Sequence, residues 1–201
     1  KKPPTFGEMA DSYLKSLMVA HSTLIDYRKS LNHYYRPVLG NRSIREIKYR
    51  DLVNLLGDVP WGKMKTRNNA LVPLRGVFAF AMANEDIDVD PTARLRNGRI
   101  QRPEPDPLSL AEIEQILGWL QQHEHPAYRN LIEFAFFSGL RTSELSALRW
   151  EDIDWNRRQV RVARARVMGK IKDTKTYSVR DVDMNSRSEA ALKRQKSLSY
   201  L

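Results

Sequence analysis

Apolar residues recur at helical spacing through most of the first ninety positions. Phe6, Met9, Tyr13, Leu14 and Leu17 fall on one stripe, and Thr5-Phe6-Gly7-Glu8 has the spacing of a capping box, so a helix is predicted to open there. A second helix is predicted from about Ser22 to Val38, with Leu24, Tyr27, Leu31 and either Tyr34 or Tyr35 facing inward and Gly40-Asn41 ending it. Ile44-Arg45-Glu46-Ile47 leads into a short helix carrying Leu52, Val53, Leu55 and Leu56, which stops near Gly57-Asp58. A fourth begins near Lys65 or Thr66 and runs to about Asn84. Pro73 is expected to kink or locally unwind it, because proline lacks a backbone donor and crowds the preceding turn. Asp90-Pro91 closes a region that reads as a compact helical bundle.

The texture then changes. Pro103, Pro105 and Pro107 alternate with polar residues, which favours an extended, stiff connector. The predicted organisation is therefore a domain over 1–100, a linker over 101–107 and a second domain over 108–201. Ser109-Leu110-Ala111-Glu112 is again a capping box, and helices continue to Ser138, with Pro126 suited to a first helical turn. Gln159 to Val167 and Tyr177 to Met184 alternate β-branched residues with arginines and other polar groups. These predict two strands, joined by a turn at Met168-Gly169-Lys170 or by a longer loop reaching Lys175. A last helix is predicted from about Ser188 to Ser197. The fold class is thus mainly α with a small β-hairpin or sheet.

Candidate chemistry concentrates in Ser138-Gly139-Leu140-Arg141-Thr142-Ser143-Glu144-Leu145, continuing to Leu148-Arg149-Trp150. An apolar helix stops at Gly139, Arg141 stands at the turn into a second short helix, and Leu140, Leu145 and Leu148 are placed to anchor that turn. A guanidinium held this way suits bidentate binding of a phosphate. The competing reading pairs Arg141 with Glu144 merely to brace the turn.

Composition narrows the classes. Hydrophobic residues at 41% and charged residues at 29% fit a folded globular chain. No apolar run approaches the roughly 20 residues that span a bilayer, and Lys1-Lys2-Pro3-Pro4 does not read as a secretory signal. With no cysteine, structural disulfides and thiolate metal sites are excluded, and a reducing cytoplasm is the expected location. The excess of 34 Lys+Arg over 24 Asp+Glu gives a net charge of +10, which suits a polyanion, although a basic but uninvolved surface has the same composition.

The segment Gly139 to Leu145 resembles the signature of the tyrosine recombinases, the phage integrase family, and Trp150-Glu151-Asp152-Ile153-Asp154 resembles the stretch that follows it there. Asn68 to Phe78, continuing through Asp90-Pro91, is similar to the last part of that family's core-binding domain. Asp173 to Arg180 resembles the β-hairpin that carries the family's catalytic lysine, with Lys175 the best match and Lys170 and Lys172 as competitors. The resemblance covers nearly the whole chain. It implies a SAM-like helical core-binding domain followed by a truncated α+β catalytic domain, closing as a C-shaped clamp on double-stranded DNA. It also implies that Arg141 contacts the scissile phosphate, Glu144 supports the site and Lys175 protonates the departing 5′-oxygen. A tyrosine oxygen would form a 3′-phosphotyrosyl link, with no metal or other cofactor, and family members act as tetramers on DNA.

Within that resemblance, Lys63, Lys65, Thr66, Arg67, Asn68 and Asn69 at the start of the fourth helix are the candidate major-groove surface. Arg161, Arg164, Arg166, Lys170 and Lys172 form a second basic run on the predicted hairpin. The sequence departs from the family downstream. The family's His-x-x-Arg motif, its further His or Trp, and its tyrosine all follow the lysine, yet no histidine follows His125 here. Only Tyr177 and Tyr200 follow Arg141: Tyr177 reads as a strand residue beside the lysine hairpin, and Tyr200 lacks the expected neighbours; His123 and His125 are expected to be solvated in a polar loop. The expectation is a truncated, monomeric piece of an integrase of phage or prophage origin that binds DNA and does not cut it. The alternative is a DNA-binding or regulatory protein that shares the fold without the chemistry. A helical adaptor with a chance arginine box would show no salt-dependent affinity for DNA.

Overall fold

The computed structural model describes residues 3–101, 103–167, 169–173 and 179–199. The chain divides into two compact units, Lys1–Pro103 and Glu104–Leu201, each with its own apolar core.

In the first unit, α1 (Phe6–Ser16) opens as its sequence predicts. The Thr5 hydroxyl accepts from the Glu8 amide at 3.2 Å, and the Glu8 carboxylate accepts from the Thr5 amide at 2.8 Å. The predicted second helix is continuous but not uniform: α2 (His21–Ser30) passes through a π-helical turn, Leu31–Tyr35, into α3 (Arg36–Leu39). In the wide turn the Arg36 amide bonds the Leu31 carbonyl five residues back. Leu31 and Tyr35 are fully buried, while Tyr34 packs on Trp61 with ring centroids 4.6 Å apart. Both tyrosines are thereby used, one in the core and one at its margin.

A 3₁₀ turn, Ile44–Glu46, leads into α4 (Tyr49–Asp58), and α5 (Met64–Ala83) follows. Of the two outcomes expected at Pro73, local unwinding does not occur: α5 runs unbroken through the buried proline. The Tyr35 hydroxyl donates to the Ala70 carbonyl at 2.9 Å and so ties the π-helical turn to α5. Burial pushes the Tyr35 phenol well above its ordinary range, so it stays a donor.

In the second unit, Ser109 and Glu112 form a second reciprocal cap on α6 (Leu110–His123), and Pro126 starts α7 (Pro126–Ser138). Next come the single turn α8 (Thr142–Leu145) and a 3₁₀ turn, Trp150–Asp152. Strands β1 (Ile153–Asp154) and β2 (Gln159–Val162) pair antiparallel; β3 (Arg164–Val167) and β4 (Lys170–Asp173) make a separate two-stranded hairpin. Strand β5 (Arg180–Asp183) pairs back onto β2, with Val160 opposite Val182, and α9 (Ser186–Ser199) ends the described chain.

The single strand predicted over Gln159 to Val167 is therefore two strands in two sheets. Burial explains the break: Val160 and Val162 are buried in step, but the next buried residue is Ala165. A strand of period two cannot hold Val162 and Ala165 on one face, so pairing changes at Ala163. Helices α7 and α9 are tied by the buried Glu133, which accepts from Arg187 Nε at 3.0 Å and also pairs with Arg194. Among the described residues no helix is long and apolar enough to cross a membrane.

Gly76 tests the packing of α1 on α5. A Cβ built there would lie 2.1 Å from the Tyr13 hydroxyl oxygen. Helix propensity alone would make Gly76→Ala stabilising by about 1 kcal/mol, whereas overpacking costs about 1–3 kcal/mol. We expect net destabilisation, seen as a lower urea midpoint; a raised midpoint would show that the Tyr13 contact is easily displaced.

Candidate functional site

The turn between α7 and α8 fixes the most specific residue of the sequence. Gly139 ends α7 with φ +64°, in the left-handed region that favours glycine, and this lets the chain reverse into Leu140. Leu140 is buried, and Leu145 and Leu148 pack against the same core. The Arg141 backbone amide donates to Glu144 Oε2 at 2.9 Å, and its guanidinium Nη1 donates to Oε1 at 2.9 Å. The pairing with Glu144 expected as a turn brace is present, and it does not exhaust the guanidinium. The arginine braces the turn, yet its side chain remains 66% exposed, with further N–H donors available.

Glu144 is the opposite case, with only 3% of its side chain exposed. Its second partner is Arg180 on β5, a bidentate pair at 2.9 and 2.8 Å. Four charge-assisted hydrogen bonds converge on one carboxylate. The Arg180 guanidinium, then the Arg141 amide and guanidinium, outweigh burial and hold the Glu144 carboxyl down at about 2. The sequence reading missed Arg180 as a member of this site. Its partner lies 36 residues away, and no local pattern marks a strand arginine as paired.

The rest of the hairpin region divides by partner. Arg164 is committed to Asp152, with Nη2 2.6 Å from both carboxylate oxygens, and so fixes the Trp150–Asp152 turn to β3. Arg161 on β2 and Arg166 and Lys170 on the β3–β4 hairpin are exposed, and Lys172 is in β4. Lys175, Tyr177 and Tyr200 lie outside the described residues. His123 is not in a loop: it ends α6 with its ring stacked on Trp119 at 4.7 Å. His125 caps α7 by accepting from the Ala127 amide. Among the described residues no three His, Cys, Asp or Glu side chains gather as a metal site.

At the start of α5, Lys63, Lys65, Thr66 and Asn69 are exposed, as a nucleic-acid surface requires. Asn68 is a correction. It is 9% exposed, its Nδ2 donates to the Gly98 carbonyl at 2.9 Å, and its Oδ1 accepts from the Gly98 amide at 2.9 Å. An amide so engaged is not free to read a base edge. Arg67, half-buried, donates from Nη1 to the Arg96 carbonyl at 3.2 Å.

The profile of the phage integrase central domain matches residues 6–98, and that of the phage integrase family matches residues 107–200. The chain belongs to the phage integrase family. Curated relatives of this integrase-family chain include the prophage integrase IntR of Escherichia coli K12, 27% identical over 80% of this chain and 42% of that protein. A tyrosine recombinase of Thermosipho africanus is 26% identical over 74% of this chain and 54% of its own length. The chain thus spans about half the length of the curated relatives it matches. Among solved structures it is similar in fold to the Tn1549 transposon integrase in complex with a circular intermediate DNA, with a TM-score of 0.80 and 24% identity over 96% of this chain and 65% of that one. A lambda integrase tetramer bound to a Holliday junction matches with a TM-score of 0.78 and 19% identity, covering 98% and 57% of the two chains.

The depressed Glu144 carboxyl fixes a pH dependence. Because its folded value lies below the ordinary 4.5, the stability it contributes is full above that value and is lost as pH falls from 4.5 towards 2. By linkage this is on the order of 3 kcal/mol. Thermal melts from pH 7 to pH 2 should show the wild type losing its advantage over Glu144→Gln below about pH 4.5; a constant difference would contradict the assignment. Arg180→Ala should cost about 2–3 kcal/mol, less than for a fully buried pair, since Arg180 is 36% exposed.

Proposed function

We propose that this chain supplies the DNA-recognition surface and the first phosphate-binding arginine of a tyrosine recombinase, an enzyme of DNA integration and site-specific recombination. The observation that carries the reading is the state of Arg141: two-thirds exposed, yet anchored through amide and guanidinium to a buried carboxylate that Arg180 holds from the other side. Ion pairing with Glu144 leaves the Arg141–Glu144–Arg180 cluster with one net positive charge, carried where solvent can reach it.

In the proposed chemistry a tyrosine oxygen attacks the DNA phosphorus, the bond from phosphorus to the 5′-oxygen breaks, and Lys175 delivers a proton to that departing oxygen. Negative charge grows on the non-bridging oxygens, where a guanidinium fixed in advance stabilises it without reorganising. Within these 201 residues, Arg141 and Lys175 are the groups suited to this work, and Glu144 and Arg180 position Arg141. Lys63, Lys65, Thr66, Asn69, Arg161, Lys170 and Lys172 are proposed to meet DNA, chiefly its phosphates, with Arg67 contributing charge from beside them. The partners are double-stranded attachment-site DNA and other protomers of the recombinase, acting in the cytoplasm of a bacterial cell. The solved relatives that hold a circular intermediate and a Holliday junction support this reading.

The 201 residues contain no histidine after His125, and so no His-x-x-Arg motif beyond the hairpin. We therefore expect duplex DNA to bind with an affinity that falls steeply with salt, while a nicked suicide substrate forms no covalent adduct with this chain. Salt-independent affinity would remove the recombinase reading. A trapped adduct would overturn the expected inactivity.

A further inference from the structure

The segment that follows Asp90-Pro91 is held against α5 by side chains the proposed chemistry does not use. Thr92 fixes its start, with amide and hydroxyl both 2.7 Å from Asp90 Oδ1, and Leu95 enters the core. From there three residues of α5 strap the chain down. Arg75 donates to the Leu95 carbonyl at 2.9 Å and to Asn97 Oδ1 at 3.0 Å; Arg67 takes the Arg96 carbonyl; Asn68 takes both backbone groups of Gly98. The contact at Gly98 is close: a Cβ there would lie 2.0 Å from Met64 Sδ, in the first turn of α5.

Charge is sharply sorted along the same stretch. Residues 59–84 hold Lys63, Lys65, Arg67 and Arg75, and residues 91–103 hold Arg94, Arg96, Arg99 and Arg102, with no Asp or Glu in either. The acidic groups Glu85, Asp86, Asp88 and Asp90 are confined to the turn between them. The bonds from Arg67, Asn68 and Arg75 therefore hold residues 95–98, from the second of these segments, against α5, from the first. Arg96 and Arg99 are exposed on the segment strapped to α5, Lys63 and Lys65 are exposed at the start of that helix, and none of these four has a carboxylate partner among the described residues. Four solvated cations with no internal counterion fit an extended row of phosphates better than a single anion.

We propose that the strap Leu95–Arg99 is a second phosphate-binding strip of the DNA interface, with Arg96 and Arg99 as its contacts and Asn68 as the residue that positions it. The inference rests on the DNA-binding reading above and adds residues to it. The backbone of the strap is already ordered, so Arg96 and Arg99 lose only side-chain freedom on binding. Asn68 thus contributes to recognition from a buried position, through Gly98, without touching DNA.

The test is fluorescence anisotropy of the whole chain with a labelled duplex, titrated at several salt concentrations. An Arg96→Ala/Arg99→Ala variant should bind several-fold more weakly at low salt, with the slope of log affinity against log salt reduced by about 1–2. Asn68→Ala keeps the net charge but frees the strap, and should lower the slope in the same direction while a thermal melt still shows a folded chain. If the double variant keeps the wild-type slope and affinity while Lys63→Ala/Lys65→Ala loses both, the strip is not part of the interface, although the DNA-binding reading stands. If Asn68→Ala alone keeps the wild-type slope, its positioning role is lost. Absence of salt-dependent binding by the wild type would sink both this inference and the reading beneath it.

Discussion

A carboxylate that has lost nearly all its water stays ionised only where fixed donors and cations replace the hydration it gave up. Glu144 meets that condition through Arg180 on one side and the amide and guanidinium of Arg141 on the other. Each partner depends on a different part of the fold. Arg141 stands where it does because Gly139 reverses the chain and Leu140 locks the turn. Arg180 arrives on β5, whose place is set by antiparallel pairing to β2. The short turn α8, too brief to be stable alone, is thus held by leucines beneath it and by one ionic junction across it. The guanidinium left exposed on that junction is the group proposed above to meet a phosphate.

The first unit reaches a similar end by other means. Arg67 and Arg75 bond backbone carbonyls and an asparagine side chain instead of a buried acid, so Arg67, Asn68 and Arg75 are consumed in fixing the segment from Leu95 onward. Their neighbours remain free to face solvent. In both units a buried or half-buried polar side chain orders backbone that carries an exposed arginine. On the proposed DNA-binding reading, such an arrangement would separate the residues that position from the residues that touch, and some buried substitutions would act on binding.

Features encoded over three or four residues were legible in the sequence. Both capping boxes, the proline at the start of α7, the glycine stop at Gly139 and the leucine-anchored arginine turn are all local, and all are present. What escaped depends on distant partners. Asn68 looked like a polar helix-start residue because Gly98 is 30 residues away, and Arg180 looked like one arginine among many because Glu144 is 36 away. The division of Gln159–Val167 at Ala163 follows from a change in which face is buried, which alternation of residue type alone does not reveal. The π turn at Leu31–Tyr35 likewise answers to Trp61 and Ala70, outside its own window. The family signature at Gly139–Leu145 was legible because its chemistry is concentrated in a contiguous run.

Glu144 is proposed to present Arg141 to a DNA phosphate without giving it up. A crystal structure of this chain bound to a duplex tests it most directly. That structure should show an Arg141 guanidinium nitrogen about 3 Å from a phosphate oxygen, with Arg141 and Arg180 both still on the Glu144 carboxylate. A complex in which Arg141 faces away from the backbone, or reaches it only by leaving Glu144, would contradict the account.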